Sequence, residues 1–115
     1  MSFKSTNRDI GDATVVDISG RITLGEGSAM LRQMVRDLLD QGRRQIILNL
    51  GDVTYIDSSG IGELVSCFTT VRKEGGELKL LNLTRKVHDL LLITKLFTVF
   101  DVHTDEGTAL AAFSR

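Results

Sequence analysis

Leu31, Met34, Val35, Leu38 and Leu39 recur at i, i+3, i+4, i+7 and i+8, a spacing that gathers their side chains on one face of an α-helix. Gly42 lies just past the last of them, where glycine's access to the left-handed conformation ends helices. Ile61, Leu64, Val65, Phe68 and Val71 repeat the pattern and predict a second helix from about Ser59 to Lys73, stopped by Gly75-Gly76. Between the two stands Gln45-Ile46-Ile47-Leu48-Asn49-Leu50, a nearly continuous apolar run of the kind found in strands covered on both faces. Upstream, Ala13 to Ile18 has strand composition. The turn at Gly11-Asp12 folds it against the polar segment from Phe3 to about Asp9, which reads as an edge strand. Gly20 to Gly27 reads as a glycine-rich loop. Further on come a strand from Glu77 to Leu83, a helix from Arg85 to about Lys95, a strand from Thr98 to Val102 and a closing helix from Asp105 to Phe113.

The order is β-β-α-β-α-β-α-β-α, which implies right-handed crossovers and an α/β fold. The sheet is mixed but mostly parallel, with four to five strands and about four flanking helices. A chain of 115 residues with 42% hydrophobic and 25% charged residues supports one such domain over residues 1–115. Leu90-Leu91-Leu92-Ile93 points around most of a helix circumference and reads as a deeply buried third helix, with a dimer or partner patch as the alternative.

Charge removes several classes of function. Fourteen Lys and Arg against fifteen Asp and Glu leave a net charge of −1, so no global field draws in nucleic acid or an anionic membrane. The first residues lack the apolar run of a secretory signal, and no stretch has the length of a bilayer span, which points to the cytoplasm. Cys67 is the only cysteine and forms no internal disulfide. With His88 and His103 it makes poor material for a zinc site, so it reads as a small, partly buried filler; no cofactor is implied.

The chemistry concentrates between Ile46 and Leu64, where a buried strand leads through Gly51-Asp52-Val53-Thr54-Tyr55-Ile56 into Asp57-Ser58-Ser59-Gly60 and a helix start. Asp57, Ser58 or Ser59 can cap that helix by accepting from the unpaired N–H groups of its first turn. Away from the apolar stripe lie Ser59, Gly62, Glu63, Ser66, Thr69 and Thr70, a small and polar face against which another protein could lie. A serine at a helix start is also a plausible phosphorylation site. The helix dipole would tolerate the added charge of about −1.5 to −2, while a docked surface carrying Asp57, Asp52 and Glu63 would become harder to desolvate.

The run from Ile46 to Leu64, the element order, the Gly75-Gly76 break and the strand at Leu80-Leu81-Asn82-Leu83 resemble the STAS family of anti-sigma factor antagonists over essentially the whole chain. The resemblance implies a binding protein, not an enzyme, a monomer or weak dimer that switches partners. Its partner would be an anti-sigma factor with serine kinase activity, which binds the unmodified antagonist, releases sigma factor and then phosphorylates the antagonist. By this analogy Ser58 is the acceptor, Asp57 orients the loop, and Ser59 and Gly60 shape the entry to the helix. Gly62, Glu63 and Ser66 extend the contact, ATP is held by the partner, and a serine phosphatase restores the free form. The loop from Gly20 to Gly27 has more glycine than many sigma-regulating members and lacks their frequent Asp before the first helix.

Two other classes compete. A scaffold or regulatory subunit of a stress-signalling or lipid-transport assembly would bind without regard to Ser58 phosphorylation. A receiver domain would phosphorylate Asp57, but Asp9 and Asp12 flank a turn instead of forming an acidic pair at a buried strand end, and Lys95 lacks a Ser or Thr strand partner. The G-x-S-x-G elbow of serine hydrolases and the phosphate-cradling GxxxxGK[ST] loop are both absent from the sequence.

Overall fold

The alternating pattern is realised in a computed structural model that describes residues 3–113. In chain order the elements are β1 (Lys4–Ile10), β2 (Ala13–Ile22), α1 (Glu26–Asp40), β3 (Gln45–Ile56), α2 (Ser58–Lys73), β4 (Glu77–Leu81), α3 (Arg85–Ile93), a 3-10 turn (Phe97–Val99), β5 (Asp101–His103) and α4 (Glu106–Ala111). The five strands lie side by side in chain order, with β1 antiparallel to β2 and every later pair parallel.

This order determines where the helices go. Each parallel crossover steps to the next strand in the same direction, and such crossovers are right-handed, so α1, α2 and α3 fall on one face of the sheet. The strands supply the matching apolar face by period-two alternation: Val16 and Ile18, Ile46 and Leu48, Leu78 and Leu80 pack with Leu31, Leu38, Leu64 and Leu91 in the main core. The residues between them point the other way. Ala13, Val15, Ile47 and Leu81 form a smaller cluster closed by Ala109 and Phe113.

Because α4 is short, part of this second face is polar, and ion pairs join its strands. Arg8 on β1 donates to Asp17 at 2.6 Å and to Glu106 at 2.8 Å, while the Asn49 side-chain amide donates to Asp17 at 2.8 Å. Lys79, buried on β4, reaches Asp101 at 2.6 Å and lies 4.9 Å from the Phe113 ring centroid.

Several sequence-based boundaries shift. The loop expected from Gly20 to Gly27 shrinks to Thr23-Leu24-Gly25, because β2 continues to Ile22 through register shifts against β3 and α1 begins at Glu26. Gly27 is a packing glycine within the helix, not part of a flexible turn: a Cβ there would stand 2.6 Å from the Arg21 carbonyl oxygen. β3 extends beyond Leu50 to Ile56, and β4 stops at Leu81. The strand expected at Thr98 to Val102 is instead a 3-10 turn followed by β5, which pairs with Lys79, Leu80 and Leu81 and so places His103 in a strand. α3 is not deeply buried throughout: Leu91 is sealed in the core, while Leu92 and Ile93 are 50% and 76% exposed.

Candidate functional site

The junction of β3 and α2 lies at the carboxyl end of the parallel strands, the end at which open α/β sheets gather their binding loops. Asp57 caps α2 from an extended conformation, so its carboxylate turns back over the first helical turn. One oxygen accepts from the Gly60 N–H at 2.8 Å and the other accepts from the Leu24 N–H at 3.2 Å. Its own N–H donates to the Ile22 carbonyl at 3.4 Å. A single residue thus fastens the start of α2 to the β2–α1 loop.

This fastening needs a backbone approach that only glycine permits. A Cβ on Gly60 would overlap the carbonyl oxygen of Ile22 and the Ile56 side chain. With Gly27 against Arg21, the first turns of both α1 and α2 therefore press on the end of β2.

Ser58 is the first residue of α2 and is exposed, and its hydroxyl makes no side-chain hydrogen bond among the described residues. Gly62, Ser66 and Thr69 follow it at helical spacing and are also exposed, so they continue one solvent-facing line along α2. Ser59 and Asp57 are half-buried, and Gly60 is buried.

Glu63 departs from its expected place on the exposed face. It is only 9% exposed, turned into the seam between α1 and α2, where Arg32 donates to it at 2.9 Å. The Cys67 sulfur lies 3.9 Å from the same carboxylate. Burial, and then the neighbouring Glu63 charge, push the Cys67 thiol up to about 12. His88 is half-exposed against the Phe97 ring, with centroids 5.0 Å apart, and the Asp101 carboxylate accepts from the His103 Nε2–H at 2.9 Å. Among the described residues no group of three or more His, Cys, Asp or Glu is placed to hold a metal ion, and no helix is long and apolar enough to cross a membrane.

Two further features adjoin the site and escape the sequence pattern. Leu24, whose N–H is held by Asp57, leaves its side chain 78% exposed. Tyr55, two residues before Asp57, lies beneath two cations: the Arg21 guanidinium carbon is 5.3 Å and the Lys86 ammonium 4.9 Å from its ring centroid. The pairing of Arg21 with Tyr55 across β2 and β3 and the first turn of α3, which carries Lys86, bring the three together, and Arg21 and Tyr55 both read as loop in the sequence.

Comparison with known proteins agrees with this arrangement. The anti-sigma-B factor antagonist of Bacillus subtilis is 38% identical over 87 residues, covering 76% of this chain and 78% of that protein. The crystal structure of an anti-sigma factor antagonist from Mycobacterium paratuberculosis superposes with a TM-score of 0.85 at 20% identity, covering 97% of this chain and 94% of that one. The Bacillus cell fate determinant SpoIIAA in its phosphorylated form superposes with a TM-score of 0.72 at 18% identity, covering 94% and 97% of the two chains. Residues 5–109 match the STAS domain family, and with the sheet order, the capped β3–α2 junction and these relatives the chain belongs to that family.

Proposed function

We propose that the chain is an anti-sigma factor antagonist whose association with an anti-sigma factor is ended by phosphorylation of Ser58. The observation that carries this reading is an accessible Ser58 hydroxyl at the first position of α2, unengaged by any side-chain hydrogen bond and set beside a capping aspartate. Support comes from relatives that bear the antagonist name and from SpoIIAA, solved in a phosphorylated form.

In this reading the unmodified surface formed by Ser58, Gly62 and Ser66, with Leu24 beside it, docks on an anti-sigma factor that is also a serine kinase. The partner holds the ATP. Transfer of its γ-phosphoryl group forms a bond from phosphorus to the Ser58 Oγ as the bond to the β-phosphate breaks, leaving ADP on the partner, and the hydroxyl proton passes to a base of the kinase or to water. The new dianion stands at a helix N-terminus, whose free N–H groups and dipole favour it, so α2 survives. The interface fares worse, because a charge of about −1.5 to −2 must be desolvated beside Asp57. A loss of a few kcal/mol there lowers affinity a hundredfold or more. A serine phosphatase reverses the modification. Glu63 supports this surface from beneath, through Arg32, without touching the partner.

The test is incubation with ATP and the ATP-binding anti-sigma candidate that co-purifies with the chain, followed by phosphosite mapping. Wild type is expected to carry acid-stable phosphate on Ser58. Ser58→Ala should fold and accept none, and Ser58→Asp should fold and bind weakly. Acid-labile phosphate on Asp57, or normal binding by Ser58→Asp with modification only elsewhere, contradicts the reading.

A further inference from the structure

Arg21 and Lys86 hold opposite sides of the chain's topology, one on β2 and one in the first turn of α3, yet both converge on the ring of Tyr55. Most other cations of the fold that approach a neighbour approach a carboxylate, as Arg8, Arg32, Arg36 and Lys79 do. Among the described residues neither Arg21 nor Lys86 has one within ion-pair distance. Two like charges gathered on one ring, with only its quadrupole as counterweight, form a local positive spot on a chain whose net charge is −1.

The spot is open. Arg21 and Lys86 are exposed, and Tyr55 keeps 39% of its surface in water. Two cations on an amphipathic ring complement an extended peptide that carries carboxylates. A nucleic acid would need a longer basic track than these few residues provide.

We propose that Arg21, Tyr55 and Lys86 form a docking spot for an acidic segment of a partner protein, adjoining the Ser58 surface and distinct from it. The proposal rests on the antagonist reading only for who that partner is. A peptide titration tests the spot without it, so failure of one does not entail failure of the other.

The experiment is an amide-resolved NMR titration of the full chain with blocked hexaglutamate, with inorganic phosphate and a dT hexamer in parallel. Saturable shifts are expected at Arg21, Tyr55, Lys86 and their neighbours, weakening severalfold as salt rises from about 50 to 200 mM. The Arg21→Ala/Lys86→Ala variant should lose roughly tenfold in affinity with an unchanged thermal midpoint, and Tyr55→Phe should retain binding. Shifts that map elsewhere or fail to saturate, binding undiminished in the double variant, or an equal or stronger response to phosphate or dT hexamer would overturn the proposal.

Discussion

At Gly60 and Gly62, two residues apart on α2, a single methyl group has opposite consequences. Alanine at Gly60 drives its Cβ into the Ile22 carbonyl, and with backbone on one side and the helix on the other nothing can yield cheaply. Gly60→Ala is expected to lose about 2–3 kcal/mol in urea denaturation, or not to fold at all. Alanine at Gly62 meets open space, so Gly62→Ala should gain about 0.5–1 kcal/mol from helix propensity. If α2 is the docking face, that more stable variant should nonetheless bind the anti-sigma partner more weakly, because the methyl group holds the partner off. Cys67 gives a second residue-scale expectation. With its thiol pushed up to about 12 and its sulfur buried, only about one molecule in ten thousand is a thiolate at pH 8. A disulfide reagent should therefore label the native chain far more slowly than the urea-unfolded chain; equal rates would contradict the burial.

At the scale of elements, Arg8 ties β1, β2 and α4 together through Asp17 and Glu106. Its hydrogen bond, opposed by burial and assisted by Asn49, holds the Asp17 carboxyl below the usual aspartate range. A carboxylate depressed in the folded state adds stability that is fully present above its unfolded value near pH 4 and lost as pH falls through the folded value. Denaturation midpoints should hold from pH 7 to about pH 5 and fall below about pH 4, with a shallower fall and a lower plateau in Arg8→Gln. An identical acid slope in that variant would show that the pair contributes nothing. The two long helices and the first hairpin are legible in the sequence because their apolar spacing and turn residues are local signals. The loop after β2 and the segment after Lys95 are not. Gly27 looks like a flexible turn until the Arg21 carbonyl above it is known, and β-branched residues at Thr98 and Val99 suggest a strand although β5 pairs with only three residues of β4. Glu63 shows the same limit within the site: a helical wheel gives its angle on α2, but only the position of α1 and Arg32 shows that this angle is covered. The Asp57 cap and the exposed Ser58 are readable because both follow from residue type at a helix start, whereas Tyr55 meets Arg21 only through strand register and Lys86 only through the placement of α3.

For the whole molecule, the parallel order of the strands puts three helices on one face and brings the ends of β2 and β3 together at one rim, where a capped helix start presents Ser58 to solvent. The main core lies beneath α1, α2 and α3, whereas Ser58 is exposed, so the proposed switch would act apart from what holds the fold together. Phosphorylation would take the net charge from −1 to between about −2.5 and −3, with that change focused on the rim proposed to dock. The most direct measurement is calorimetric titration of the anti-sigma partner with the chain before and after stoichiometric modification of Ser58, the fold of each form being checked by its thermal midpoint. Similar midpoints are expected, with an affinity at least about a hundredfold lower for the phosphorylated form. Equal affinities of the two folded forms would contradict the proposed switch.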